Sequence, residues 1–148
     1  MTEPASLSVE ELNPIAFPLV NRFFKENGHK GKASGNERVW VARCPKEKIV
    51  AGLRASPKSG GYLLRSVQVA RDAQRKGIGS FFLRAALNDL NTINCWCYPF
   101  AHLEYFYQGA GFFKPEPDSV PPDILDPYLR YRQQGHTFLL MARCPKQA

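Results

Sequence analysis

Apolar positions recur along the chain first with a helical period and then with the spacing of strands. Between Asn13 and Gly28, residues Phe17, Val20, Phe23 and Phe24 fall on one side of a helix. Asn13-Pro14 opens it as a capping residue followed by proline at the first position, and Gly28 is the expected stop. Val39 to Ala42 and Ile49 to Arg54 read as adjacent strands joined by Pro45 to Lys48. Ser56 to Gly61 reads as a turn into a third strand, Tyr62 to Val69. Phe81 to Leu87 combines good helix formers with a wide apolar stripe, and Thr92 to Tyr98 is rich in strand formers. Prolines at 115, 117, 121 and 122 predict an irregular crossing from Lys114 to Asp126, then a short helix over Pro127 to Arg132. Thr137 to Ala142 is expected to close the sheet. The order predicts an α/β (α+β) protein, residues 1–148 forming one domain with a mixed sheet and helices on both faces. An antiparallel meander makes up its first half.

The segment from Val67 to Ser80 carries the candidate chemistry, because an apolar strand passes through a basic, glycine-punctuated turn into a helix. The first N–H groups of such a helix lack internal partners and carry the positive end of its dipole, so they suit a phosphate. Gly77 and Gly79 remove side chains that would hold a ligand off the backbone, and Arg71, Arg75 and Lys76 add positive charge. The plainer alternative is a strand-to-helix turn with no ligand. A P-loop fits poorly, since no Lys-Ser or Lys-Thr pair follows a glycine here. A dinucleotide fingerprint is excluded because Phe82 stands where its third glycine belongs.

Gln74-Arg75-Lys76-Gly77-Ile78-Gly79 resembles the core of motif A of the GCN5-related N-acetyltransferases (GNAT): Gln or Arg, two residues, Gly, one residue, then Gly or Ala. Downstream, Phe106-Tyr107-x-x-x-Gly111-Phe112 resembles motif B of the same family, and together the two motifs place the resemblance over about Glu37 to Arg143. It implies the acyl-CoA N-acyltransferase fold, with acetyl-CoA as acetyl-donor cosubstrate and an amine as acceptor. It also implies that the pantetheine arm bonds main-chain groups around Val67 and Val69, in the manner of an added strand. The pyrophosphate is then expected at the stretch Gln74, Arg75, Lys76, Gly77, Ile78, Gly79 and Ser80. Tyr107 matches the family's general acid, which protonates the departing thiolate. Packing as a core aromatic beside Phe106 is the alternative. Phe100 stands where many members carry an asparagine that holds the pantetheine, so that contact is expected to be lost or taken over by main chain.

Composition narrows the partners. Twenty Lys and Arg against 13 Asp and Glu give a net charge of +7, yet no basic run of the arm or tail type appears, so nucleic acid is not expected. No stretch approaches the roughly 18 apolar residues of a membrane span. Met1-Thr2-Glu3-Pro4 has neither a basic nor an apolar leader region, and the expected location is cytoplasmic. Cys95-x-Cys97 near His102 invites a metal reading, but zinc sites need a second ligand pair that Cys44 and Cys144 do not supply. Four reduced thiols and no metal are therefore expected, in a monomer or homodimer.

For the base, Glu104 lies one helical turn before Tyr107 on the same face, and a solvated Glu104 with a water chain is the alternative. Arg54 and Arg65 fall near opposite positions if their strands pair antiparallel. Two like charges there favour an anionic partner, so both are candidate acceptor-binding residues. Pairing with protein carboxylates such as Glu104 or Asp123, or simply facing solvent, is the alternative. Three function classes follow: a direct N-acetyltransferase, a non-catalytic coenzyme A sensor with no use for Tyr107, and a nucleic-acid-binding domain.

Overall fold

The computed structural model describes residues 6–74 and 77–145. One six-stranded sheet runs in the order β1 (Ser8–Glu11), β2 (Arg38–Arg43), β3 (Ile49–Lys58), β4 (Gly61–Val69), β5 (Asn94–Cys97) and β6 (Met141–Arg143). Among the described residues four α-helices accompany it: α1 (Phe17–Glu26), α2 (Ile78–Asn88), α3 (Glu104–Gln108) and α4 (Pro122–Gln133). The β1–β2, β2–β3 and β5–β6 pairs are antiparallel and β4–β5 is parallel, so the sheet is mixed. Contacts divide the chain into two compact units, Met1–Ser56 with Leu64–Asp89, and Pro57–Leu63 with Leu90–Ala148.

In the first unit, α1 starts as the sequence predicts. Asn13 Oδ1 accepts from the Ile15 N–H at 3.0 Å, Pro14 opens a 3-10 turn, and Gly28 follows the helix with φ +78°. Its face of Phe17, Val20, Phe23 and Phe24 is buried, and a Cβ at Gly52 would lie 3.1 Å from Val20 Cγ2, so α1 rests directly on β3. Val41 pairs with Gly52 and therefore shares that face, whereas the neighbouring pair Trp40 and Leu53 points to the opposite one. There the Trp40 indole N–H donates to Asp89 Oδ2 at 2.7 Å, at the end of α2. The two faces are thus covered by different helices.

β1 is an element that the pattern of apolar residues does not announce. Its sequence, Ser-Val-Glu-Glu, is exposed but for the half-buried Val9, and cross-strand ion pairs hold it as an edge: Glu11 with Arg38 at 2.7 Å and Glu10 with Arg43 at 3.0 Å. The turn expected at Ser56 to Gly61 contracts to Ser59-Gly60, because β3 continues through Pro57 to Lys58. The paired register with β2 ends at Arg38↔Ala55, so the missing N–H of Pro57 lies past that ladder.

In the second unit, Leu63, Trp96 and Ala142 from the sheet pack with Ile124 of α4, Val120 and Leu140. Cys95 and Cys97 flank Trp96 and so point to the other face. On that face Arg143, paired with Cys95, donates through Nε to the Ala110 carbonyl just after α3 at 3.1 Å. Two expectations are corrected here. The helix assigned to Pro127 to Arg132 begins at Pro122 and carries Pro127 inside it, since Pro122 at the first helical positions favours initiation. The closing strand is Met141–Arg143, not Thr137 to Ala142: β5 ends at Cys97, the next residues are Tyr98-Pro99, and the Leu139 N–H goes to the Pro99 carbonyl at 2.8 Å.

Candidate active site

The end of β4 and the start of α2 are built by local bonds within the first unit. The Ala70 N–H donates to the Val50 carbonyl at 2.8 Å and the Arg71 N–H to Asn27 Oδ1 at 3.2 Å, which fixes the exit from the strand. Gln74 is exposed and donates from Nε2 to the Val69 carbonyl at 3.0 Å. Gly77 then caps α2 with φ +76° and ψ 3°, a left-handed conformation that glycine enters without steric penalty. The Phe81 N–H reaches the Gly77 carbonyl at 3.1 Å as the first helical bond. The N–H groups of Ile78, Gly79 and Ser80 precede it, no side chain caps them, and no acidic residue stands in the first turn. The positive end of an 11-residue helix is thus presented behind a residue without a side chain. Ile78 is buried and anchors the turn; Gly79 and Ser80 are half-buried. Arg75 and Lys76 lie outside the described residues.

β4 itself is unusual past Leu64. Its parallel ladder to β5 takes in Gly61, Tyr62 and Leu63 of nine strand residues, and Ser66 has φ +61°, a left-handed turn in mid-strand by a residue with a side chain. Val67 and Val69, expected along the coenzyme, are half-buried. Ser66 is fastened by its neighbours. Arg54 donates from Nε to Ser66 Oγ at 3.0 Å, and His29 Nε2 lies 2.6 Å from the same oxygen. Gln68 Nε2 is 3.4 Å from His29 Nδ1. The remaining reach of Arg54 goes to Glu37, 3.0 Å away in a pair with both side chains nearly buried, and to the Lys32 carbonyl at 2.9 Å. Ser56 also donates to Glu37, at 2.7 Å. Arg54 therefore turns to a protein carboxylate, and that carboxylate is Glu37. Arg65 is exposed. Burial, and then the Arg54 guanidinium, lower the His29 pKa from its usual range and keep the ring neutral. His29 and Ser66 were not singled out by the sequence. A histidine after a helix-stopping glycine and a serine within a valine-rich strand give no local signal.

In the second unit Tyr107 is buried, edge-on to Phe106 at 5.0 Å and to Phe112 at 5.6 Å. Burial raises its pKa well above the usual phenol value, with the Cys97 thiolate form adding to the shift. Cys97 is raised likewise, by burial and then by Cys95. Glu104 accepts from Gln108 at 3.1 Å and pairs with the exposed Lys114 at 3.3 Å. His102 is exposed and stacks on Phe100 at 5.8 Å. All four cysteines are free thiols. Among the described residues no group of three or more His, Cys, Asp or Glu is placed to hold a metal ion, and no helix is long and apolar enough to cross a membrane.

The family profile of the acetyltransferase (GNAT) domain matches residues 35–114, which include β2, β3, β4, α2, β5 and α3. The chain belongs to the GNAT acetyltransferase family. Solved structures agree on the fold. This GNAT domain superposes on N-acetylglutamate synthase from Neisseria gonorrhoeae, solved with coenzyme A and L-arginine, with TM-score 0.68 and 12% identity, over 95% of this chain and 34% of that one. The ribosomal-protein-S18-alanine N-acetyltransferase of Escherichia coli gives 0.67 and 15%, over 96% of both chains. Tetrahymena GCN5 gives 0.66 and 12%, over 92% of this chain and 94% of that one. The chain spans about a third of the length of the N-acetylglutamate synthase it matches. Comparison with curated proteins by sequence gives no match.

Proposed function

We propose that this GNAT domain transfers an acetyl group from acetyl-CoA directly to a primary amine of a small molecule or protein, both substrates being bound together. The observation that carries this reading is the uncapped N-terminus of α2 behind left-handed Gly77. Amides of Ile78, Gly79 and Ser80 there suit a pyrophosphate, since an anion satisfies orphan donors and the helix dipole at once. Arg71, exposed at the exit of β4 with its guanidinium against Gly28, adds charge to the same segment of chain. Main-chain groups at Val67 and Val69 are assigned to the pantetheine, and the left-handed Ser66 re-aims the amides that follow toward the thioester oxygen.

Tyr107 is the proposed acid. Its raised pKa keeps the hydroxyl protonated, and the same burial raises the neighbouring Cys97 thiol, so a thiolate released in such surroundings is itself a stronger base than in water. The two shifts run in the same direction, and the proton transfer stays matched. Arg65, on the exposed side of β4, remains the proposed acceptor-side arginine. Arg54 is given an internal role, holding Ser66. Glu104, engaged by Lys114, is assigned no proton transfer.

Calorimetry with acetyl-CoA tests the carrying observation. Gly77→Asp places a carboxylate against the phosphate site and forces a side chain into a left-handed backbone, so the affinity is expected to fall at least tenfold with the fold retained. Unchanged affinity would remove the coenzyme reading.

A further inference from the structure

His29, Ser66, Gln68, Arg54 and Glu37 form a connected polar cluster, of which the coenzyme and acid assignments leave the His29 ring and the Gln68 amide without a task. It has the marks of a built site. Ser66 keeps a backbone conformation that side-chain-bearing residues seldom adopt, and its hydroxyl is gripped from two elements. The segment after α1 passes so close that a Cβ on Gly31 would stand 2.6 Å from Arg54 Nη2 and 2.8 Å from His29 Nε2, so any larger residue there would displace these side-chain ends. His29 is also held from behind, edge-on to Phe24 at 5.4 Å.

One side of His29 opens. With α1 and the segment 28–32 it lines a cavity of about 1170 Å³, whose wall carries Arg22, Lys25, Lys30 and Lys32 against the single acid Glu26. A basic cavity ending on a neutral imidazole, one residue from the strand assigned to the coenzyme, matches an acceptor that brings an amine and an anion together. Resting on the acetyl-transfer reading above, the geometry points to this cavity as the acceptor site, to a carboxylate- or phosphate-bearing amine as its occupant, and to His29, held in place by Ser66, as the proton acceptor.

The proton path balances. Arg54 has only donors, so it occupies one acceptor position of Ser66 Oγ, and the His29 Nε2–H takes the other, which leaves Nδ1 as the basic nitrogen of the neutral ring. The Gln68 amide, 3.4 Å from Nδ1, can only donate there, which agrees with that tautomer. The ammonium gives its proton to His29 Nδ1, His29 being the member of the cluster that lines the cavity. The freed amine attacks the thioester carbonyl, the new C–N bond forms and the C–S bond breaks. Tyr107 gives its proton to the sulfur and recovers one from the amide nitrogen, and His29 returns its proton to water. The net products are the acetamide, free coenzyme A and one proton.

Groups against His29 are Phe24 from α1, Arg54 from β3, and Ser66 and Gln68 from β4, while Arg22, Lys25 and Glu26 of α1 and Lys30 and Lys32 of its own segment line the same cavity. Glu37 stands behind Arg54. Burial and the Arg54 guanidinium lower the ring's pKa, and this agrees with an imidazole that stays unprotonated.

The test uses the full chain, acetyl-CoA, the anionic amines L-glutamate and O-phosphoethanolamine, and spermidine as a cationic control. Wild type is expected to acetylate at least one anionic amine and to prefer it to spermidine. His29→Gln should lower kcat by about 10²-fold or more, in the range of a lost general base, with the Kd for acetyl-CoA unchanged. It should also abolish the acid limb of the pH profile, where the wild-type rate falls as His29 protonates below its ordinary range of about 6.5. Ser66→Ala should give the same split, and Lys25→Glu should raise the KM of the anionic amine alone. Wild-type turnover and an intact acid limb in both His29→Gln and Ser66→Ala overturn the inference while acetyl transfer stands. Turnover confined to spermidine, or none with the panel while acetyl-CoA binds, overturns the acceptor assignment. Failure of wild type to bind acetyl-CoA overturns the functional reading beneath it.

Discussion

Tyr107 and Cys97 share one buried face, and both resist ionisation there. Removing only the Tyr107 hydroxyl keeps the ring's contacts with Phe106 and Phe112. Tyr107→Phe is therefore expected to retain acetyl-CoA affinity and stability while turnover falls by about 10²–10⁴-fold, measured by thiol release. The same residues predict a loss of stability in alkali. The unfolded chain ionises Cys97 from about pH 8.5 and Tyr107 from about pH 10, whereas the folded chain holds both protonated. Their folded pKa values are raised, so the stabilising contribution is full below the unfolded values and drains away as pH rises through that window. Urea unfolding at rising pH should show this slope, and Cys97→Ala should flatten its first part. A second residue-scale prediction concerns Glu37, which neutralises the nearly buried Arg54. Glu37→Ala strands that charge and is expected to cost about 3–5 kcal/mol in urea unfolding. Legibility at this scale was uneven. Gln74, Gly77 and Tyr107 were visible because their spacing forms a motif. His29 was not, since its partners on β3 and β4 come from 25 and more positions downstream.

Among the elements, strong periodicity was readable and weak partners were not. α1, β2, β3, β4 and α2 follow from apolar spacing with caps. β1 could not be read because ion pairs to Arg38 and Arg43 and the β2 ladder, not an apolar face, hold it. The early start of α4 was hidden by its prolines: Pro122 sits at an initiating position, and the cost falls on Pro127, whose missing N–H leaves the Asp123 carbonyl without its helical bond. Pro127→Ala restores that donor. Its helix-propensity gain, less the entropy the unfolded chain regains, should stabilise the protein by about 1–3 kcal/mol, readable as a raised urea midpoint.

For the whole molecule, a net charge of +7 and a polyanionic donor predict that acetyl-CoA binding weakens with salt. Affinity should fall between about 0.1 M salt, where screening acts over about 10 Å, and about 1 M, where it acts over about 3 Å. An affinity flat across that range would place the binding energy in the backbone amides alone. The family was legible from two motifs because order and distance along the chain are kept together with the fold. The division of the chain into two units was not, because it cuts across the hairpin: the tip, Pro57–Leu63, is counted with residues that begin at Leu90. That interleaving has a consequence for dissection and for synthesis. A fragment starting at Leu90 would lack Leu63, one of the six buried residues of its core, and the strand that pairs with β5. It should not fold when expressed alone. During synthesis from the N-terminus the hairpin tip emerges long before its partner strand, so its parallel edge waits open until β5 arrives, and folding of the later half is templated by seven residues made earlier.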